Sequence, residues 1–170
     1  MFDKGSLIVY GGEGVCRIDD IICQSFGGQQ QEKQYYVLVP VRSASSKLYV
    51  PVDNEKLTSR IMTLLDFEEI KSLIDECEPF EWISDNKQRG KLYKEIFASY
   101  DRKAIFSLAK LLESAKSGEI ECVKKLYVLD DDAIRRVSQI LYAELSYSVE
   151  LSPDEVLPIV AGKIELKKKN

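Results

Sequence analysis

Hydrophobic and polar positions follow two different periods along the chain, and the change falls near residue 53. Up to Val52, apolar residues come in short runs that are rich in branched and aromatic side chains and are separated by glycine or polar stretches. Runs of this kind predict β-strands. The predicted strands are 6-SLIVY-10, 15-VCRIDDIICQSF-26, 35-YYVLVPV-41 and 48-LYVPV-52, with polar connections at 27–34 and 42–47.

Two prolines indicate where these strands lie in the sheet. Pro40 and Pro51 fall within or at the ends of predicted strands, and a proline cannot donate to a hydrogen-bonded ladder. They therefore favour edge strands or bulges. Four or five short strands in about fifty residues predict a small antiparallel β-barrel of the SH3 or Tudor type.

After residue 53 the apolar spacing becomes helical. Asp66 can cap a helix over 67–76, and Asp101 can cap another over 101–116. Further helices are predicted from Pro79 to Phe97, over 119–129, from Asp130 to Tyr147, and after Ser152, which precedes a proline. The fold class is therefore α+β, with a β-barrel domain at 1–55 followed by an all-α bundle of about five helices at 66–166.

Charge and composition exclude several functions. The chain has 24 basic and 28 acidic residues and no histidine, for a net charge of −4. Its first 53 residues carry five basic and six acidic groups, and the remainder carries 19 and 22. Neither part is a general polyanion binder. Without histidine there is no Ser-His or Cys-His pair, and no paired carboxylates stand out. We expect no enzymatic activity and no small-molecule substrate.

Metal, cofactor and membrane signals are weak or absent. The glycines of 10-YGGEGV-15 mark a turn and do not form a phosphate-binding loop. Four widely spaced cysteines without a C-x-x-C pair are more typical of free, mostly buried thiols than of a zinc site. No apolar segment is long enough to span a membrane, and the first residues do not form a secretory signal. We expect a cytoplasmic protein with no cofactor or metal.

The stretch 80-FEWISDNKQRGKLYKEIF-97 poses the main question about function. It contains Trp82, the only tryptophan, followed by four cations with no acid between them: Lys87, Arg89, Lys91 and Lys94. On a helical wheel the three lysines share one face, while Trp82 and Arg89 lie on the apolar face, where Arg89 can brace Trp82 by a cation–π contact. Trp82 is then either a core residue or an aromatic wedge, and the lysines are either a solvated face or a phosphate-binding one.

The order of several motifs resembles the CarD-like transcription regulators. The barrel half contains 2-FDKGSLIVYGGEGVCRI-18, 35-YYVL-38 and 49-YVPV-52, which resemble the FxxGxxxVYxxxGVxxI, YYVL and xVPV patterns of that family. The helical half contains Trp82, Arg89, Tyr93–Lys94, Ser99–Asp101 and 139-QILYAEL-145 in the family's order. The resemblance covers nearly the whole chain.

This resemblance implies a non-catalytic bacterial regulator with two partners. The barrel, which also occurs in the transcription-repair coupling factor, would dock on the β subunit of RNA polymerase by edge-strand pairing. The helical domain would contact promoter DNA at the upstream edge of the −10 region and change the stability of the open complex. A tryptophan would wedge into the minor groove there.

The resemblance also assigns candidate residues. By position, Lys47, Leu48, Tyr49 and Val50 would form the polymerase-pairing edge. The candidates for DNA contact are Trp82, Lys87, Arg89, Lys91, Lys94 and Arg136. The alternative is a polymerase-binding adaptor that does not contact DNA, which the acidic helical half favours. Whether initiation is activated or repressed does not follow from the sequence.

Overall fold

The computed structural model describes residues 1–26 and 32–170. The chain divides into two compact units, Met1–Leu64 and Leu65–Asn170. The first is built on an antiparallel sheet and the second is helical, in agreement with a β domain followed by a helical region. Of the predicted polar connection at 27–34, residues 27–31 lie outside the described residues.

The first unit contains a five-stranded antiparallel sheet. Its hydrogen-bonded order is β4-β3-β2-β1-β5, and a register shift between Ile18 and Asp20 marks a β-bulge in β2. The shift changes which residues of this long strand face the core. The strands are β1 (Leu7–Tyr10), β2 (Gly14–Gln24), β3 (Lys33–Pro40), β4 (Leu48–Pro51) and β5 (Ile61–Thr63).

Alternating side chains from these strands form the core of the first unit. Ile8, Ile18 and Leu38 are almost completely buried there. β4 and β5 lie at the two ends of the strand order, and no ladder joins them within the described residues. The hydrogen-bonded sheet is therefore open, and the predicted closure into an SH3- or Tudor-type barrel is not confirmed.

Both prolines lie where a missing N–H has no effect on the ladder. Pro51 is in the terminal strand β4, and Pro40 is paired with Cys16 of β2 at a point beyond the end of β4. The N–H of Val41 donates to the Val15 carbonyl at 2.9 Å, so the preceding proline faces the other side. The predicted edge position is confirmed for Pro51, whereas Pro40 lies in β3, which pairs with a strand on each side, and is tolerated there because β4 ends before it.

The link between the predicted domains contains more structure than expected. A short helix α1 (Glu55–Thr58) is capped by Asn54, and β5 follows it and pairs with β1. A three-residue strand is too short to show a period in the sequence. Because β5 belongs to the sheet, the first unit continues to Leu64.

The second unit is a helical bundle around one core. Its largest apolar contributions come from α4, where Phe106, Leu108 and Leu112 are fully buried, and from α5, where Val137 and Leu145 are. The α-helices of this unit are α2 (Phe67–Glu76), α3 (Asn86–Ser99), α4 (Arg102–Lys116), α5 (Val128–Leu145) and α6 (Val156–Val160).

Several helix starts follow the caps that the sequence predicts. Asp66 accepts a hydrogen bond from the Glu69 N–H at 2.8 Å and caps α2, and Asp101 caps α4 in the same way. Ser152 precedes a 3-10 turn at Pro153–Glu155 that leads directly into α6. In α2 and α4 a side chain thus accepts N–H groups of the first turn, as expected, whereas Ser152 itself donates to the Glu155 carboxylate.

Two predicted helices differ from the structure. The helix expected from Pro79 begins only at Asn86, because Asp85 caps it and the Ile83 and Ser84 carbonyls bond to Arg89 instead of continuing a helix backwards. The helix expected over 119–129 is absent up to Tyr127. The carboxylate of Asp130 accepts the Tyr127 N–H at 2.9 Å and fixes the start of α5 at Val128.

Cysteines and membrane propensity complete the description. Cys16 and Cys77 are buried, whereas Cys23 and Cys122 are exposed, so half and not most of the thiols are buried. In the part of the chain that the structure describes, no group of three or more candidate ligands is arranged to hold a metal ion. Across the same residues, no helix has the length and apolar character needed to cross a bilayer.

Candidate functional site

Among the described residues no strand pairs with the outer side of β4, so β4 presents a free backbone edge. The N–H of Val52 donates to the Gln34 carbonyl of β3 at 2.9 Å. Since backbone groups alternate direction along an extended strand, Val50 also faces β3, and Tyr49 faces outward. The nitrogen of Pro51 also faces outward, so the missing N–H removes no hydrogen bond within the sheet. The edge therefore offers the N–H and C=O of Tyr49 and the C=O of Pro51 to an added strand.

The four side chains predicted for polymerase contact are not equivalent. Val50 is 3% exposed and packs in the core, so it can contribute only through its backbone. Leu48 is half-buried, Tyr49 is 44% exposed, and Lys47 is exposed with its ammonium 3.8 Å from Asp19. The sequence placed these residues on an edge correctly but did not separate backbone from side-chain contributions.

Tyr49 belongs to an exposed aromatic group that the sequence analysis missed. The ring of Phe26 lies 5.0 Å from that of Tyr35 and 5.2 Å from that of Tyr49. Phe26 is itself 40% exposed at the end of β2. The only sequence signal was an aromatic residue ending a predicted strand next to a polar connection. These rings place an apolar surface directly beside the β4 edge.

In the helical unit, Arg89 is not available to a phosphate. It is 1% exposed and is the largest fully buried side chain among the described residues. Its Nε and Nη2 donate to the two carboxylate oxygens of Asp130 at 2.7 and 2.9 Å. The prediction of DNA contact by Arg89 is therefore incompatible with this conformation, because the guanidinium is enclosed and its donors are occupied.

Asp130 is the centre of a buried polar cluster. Besides Arg89, it accepts hydrogen bonds from the Tyr93 hydroxyl at 2.8 Å and from the Tyr127 N–H at 2.9 Å. Burial alone would raise the pKa of the Asp130 carboxyl, but the hydrogen bonds from Arg89, Tyr127 and Tyr93 outweigh it and the pKa is lowered. The pKa of the Tyr93 hydroxyl is raised, first by burial and second by its hydrogen bond to Asp130.

The sequence contained a signal for this pair that was not used. Arg89 falls on the apolar stripe of α3 with Tyr93 and Ile96, and a cation in such a stripe requires an acid nearby. The sequence analysis uses Asp130 only as the first residue of a predicted helix. Nothing in the local pattern relates two positions that are 41 residues apart.

Trp82 lies outside any helix, over the buried pair. The guanidinium carbon of Arg89 is 4.3 Å from the centre of the Trp82 ring, so the predicted cation–π contact is present. Trp82 is half-buried and packs against the core of the helical unit. Because residues 77–84 are not helical, the wheel that placed Trp82 on α3 does not apply, although its pairing with Arg89 was right.

The three lysines of α3 form a separate surface. Lys87, Lys91 and Lys94 are all exposed and follow one face of the helix, as their spacing predicts. The Lys91 ammonium lies 3.9 Å from the Glu95 carboxylate, which is a long distance for an ion pair. Arg89 is about half a turn away on the buried side. The lysines and Trp82 are thus not brought together on one face of α3.

Arg136 is positioned beside this lysine surface. It is exposed on α5, and its guanidinium carbon is 4.2 Å from the ring centre of Phe97 on α3. Phe97 follows Lys94 by three residues, so the two side chains are neighbours along the helix. The contact with Phe97 restricts a long flexible side chain and places a fourth exposed cation against α3, the helix that carries the three lysines. We refer to Lys87, Lys91, Lys94 and Arg136 as the basic surface.

Comparison with known proteins identifies only the first unit. A protein-family model described as the CarD-like/TRCF RID domain matches residues 2–62. The match begins before β1 and ends within β5, so it spans the sheet and the β4 edge. No curated protein matches the chain.

Proposed function

We propose that the chain is an RNA-polymerase-interacting transcription factor, because residues 2–62 match the CarD-like/TRCF RID domain. The single observation that carries the proposal is this match over nearly all of the sheet unit. The free backbone edge of β4 supports it, because it supplies a mode of docking.

Docking is proposed to occur by addition of a strand from the polymerase β subunit to the edge of β4. Backbone pairing gives affinity in such complexes, and neighbouring side chains give specificity. Tyr49 supplies both the outward backbone groups and an exposed ring. Phe26 and Tyr35 extend the apolar surface beside it. Lys47 is the one basic side chain in the proposed edge.

Binding of purified bacterial RNA polymerase to the full-length chain tests this proposal. Tyr49→Pro removes the outward N–H, whereas the matched variant Tyr49→Ala removes only the side chain. We expect the proline variant to lose most of the binding and the alanine variant to retain a larger part. Equal binding by wild type and a folded Tyr49→Pro variant would exclude β4 as the edge, and no binding by wild type would overturn the proposal.

We further propose that the helical unit contacts promoter DNA at the upstream edge of the −10 region when polymerase holds the protein in place. The basic surface supports this, because four exposed cations can neutralise phosphates without reading sequence. Residues 54–170 carry 19 basic and 22 acidic groups, a net charge of −3. Contact therefore depends on the high effective concentration that docking provides. Such contact would stabilise the open complex and change the initiation rate.

Trp82 is proposed as the apolar group that contacts the DNA. It lies in a non-helical segment and is only partly buried. An apolar side chain at a base step offsets part of an unstacking cost of a few kcal/mol. The second candidate function, a polymerase-binding adaptor that does not touch DNA, is favoured by the burial of Arg89 and by the packing of Trp82 against the core.

Protection of promoter DNA separates the two candidates. With polymerase present, the wild-type protein should protect additional nucleotides at the upstream edge of the −10 region if the helical unit contacts DNA. An adaptor would bind polymerase and leave the pattern of protection unchanged.

A further inference from the structure

We propose that the buried Arg89–Asp130 ion pair is a positioning device for Trp82: it fixes the non-helical segment that carries the tryptophan to the start of α5 and sets which part of the ring faces outward. The effect on DNA rests on the proposed function, whereas the effect on Trp82 itself does not.

Arg89 bonds to three separate parts of the chain. Two of its nitrogens bond to Asp130 on α5, as described above. Nη1 donates to the Ile83 carbonyl at 2.7 Å and, at 3.3 Å, to the Ser84 carbonyl, while Nη2 also donates to Asn86 Oδ1 at 2.8 Å. The segment immediately after Trp82 is therefore attached through its backbone to a side chain that is itself attached to α5.

The geometry requires an arginine. A guanidinium presents five N–H donors in a fixed plane, and here that plane serves a carboxylate on one side and carbonyl oxygens on the other. Its flat surface is also what Trp82 packs on, at 4.3 Å. A lysine keeps the charge, but its single ammonium cannot span Asp130 and Ile83 together or offer a plane for stacking.

The dependence is mutual. Trp82 lies over a guanidinium that is 1% exposed, so the ring helps to keep water from the pair, and the pair holds the ring. Removing Trp82 therefore exposes the ion pair as well as deleting the proposed wedge. The role of the ring's position is therefore tested by substituting Arg89 and leaving Trp82 in place.

The single tryptophan makes its position directly measurable. The fluorescence of the full-length chain, excited selectively at tryptophan, reports Trp82 alone. We would measure its acrylamide quenching and emission maximum in wild type, Arg89→Lys and Arg135→Lys. Arg135 is a matched control, because it is exposed on α5 and forms a surface ion pair with Asp132. Circular dichroism would verify that each variant remains folded.

We expect Arg89→Lys to increase the quenching constant and shift emission to longer wavelength, while Arg135→Lys matches wild type. If Arg89→Lys fails to fold, Asn86→Ala removes one bond to Nη2 and leaves the ion pair, and a smaller change in the same direction is expected. Unchanged quenching in a folded Arg89→Lys variant, or in Asn86→Ala where it is the only one that folds, would overturn the proposal.

The lifetime of promoter open complexes after competitor challenge tests the functional consequence with the same proteins. Where wild type lengthens the lifetime, we expect Arg89→Lys to lose most of the extension and Arg135→Lys to retain it. Full extension by an Arg89→Lys variant with an exposed Trp82 would overturn the functional part. If wild type does not change the lifetime although the quenching result is as expected, the DNA role of the helical unit fails and the positioning of Trp82 stands.

Discussion

Arg89 is a cation in the centre of a hydrophobic bundle, and its stability there depends on complete pairing. Its Nε, Nη1 and Nη2 donate to Asp130, to Asn86 and to backbone carbonyls. Burying two charges costs several kcal/mol each unless geometry and hydrogen bonding compensate. These hydrogen bonds occupy the guanidinium donors that a phosphate would need. They also hold the segment around Trp82 in one conformation.

Removal of one partner from this pair should be strongly destabilising. Asp130→Ala leaves the Arg89 charge buried without its acid, and we expect a loss of about 3–5 kcal/mol in the free energy of unfolding. Urea denaturation measures it. Arg135→Ala, which breaks an exposed ion pair on the same helix, should change stability by less than about 0.5 kcal/mol. A cost for Asp130→Ala no larger than for Arg135→Ala would contradict the account.

The lowered pKa of Asp130 also predicts acid sensitivity. Since its folded-state pKa lies below the ordinary value of 3.8, its stabilising contribution is complete above that value and is lost as pH falls through the folded pKa. Unfolding free energies measured from neutral to acid pH should therefore fall less steeply in Asp130→Asn than in wild type. Burial raises the pKa of Glu144, which acts with the opposite sign, but this contribution cancels in the comparison. Parallel curves would be inconsistent with a lowered pKa.

At the scale of elements, caps determine where α3 begins. Asp85 accepts the Gln88 N–H at 2.8 Å, and the carbonyls before it are bonded to Arg89. We expect Asp85→Ala to cost about 1 kcal/mol in the free energy of unfolding, and Asp85→Asn to cost much less, since Asn caps equally well. Urea denaturation of the two variants tests this. If the alanine variant is as stable as wild type, Asp85 does not stabilise the start of α3 as a cap.

The sequence predicted elements with a clear local signal. Four strands, α2 and α4 follow directly from β-rich runs and from Asp66 and Asp101 as caps, and Pro51 correctly indicated an edge. The starts of α3 and α5 were predicted wrongly: α3 begins after its cap Asp85, and α5 begins at Val128, where the Tyr127 N–H donates to Asp130. β5 was not predicted, because a strand of three residues shows no period. The Arg89–Asp130 pair joins residues 41 positions apart, and no local pattern indicates it.

The candidate sites were predicted less completely for the same reason. The exposure of Lys87, Lys91 and Lys94 follows from helical spacing alone. The separation of Trp82 from that lysine face does not, because it depends on the break before Asn86. The contact between Arg136 and Phe97 joins two helices, and only packing reveals it.

In the whole molecule, the two units have different proposed partners: RNA polymerase for the sheet unit and promoter DNA for the helical unit. The basic surface should act only when the sheet unit is docked on polymerase. Replacing Lys87, Lys91 and Lys94 by glutamine should leave polymerase binding unchanged and lower the salt dependence of promoter binding by the complex, with roughly one unit of slope lost per phosphate contact. The matched control replaces Lys167, Lys168 and Lys169, which are exposed near the chain end. Equal slopes for both variants would exclude the basic surface.

The most direct test of the central claim is the lifetime of open complexes on one promoter after competitor challenge. It would be measured with polymerase alone, with wild type, with Tyr49→Pro and with the three-lysine α3 variant. We predict a changed lifetime with wild type, no change with Tyr49→Pro because docking is lost, and a reduced change with the lysine variant. A lifetime identical to that of polymerase alone in the presence of saturating wild-type protein would contradict the account.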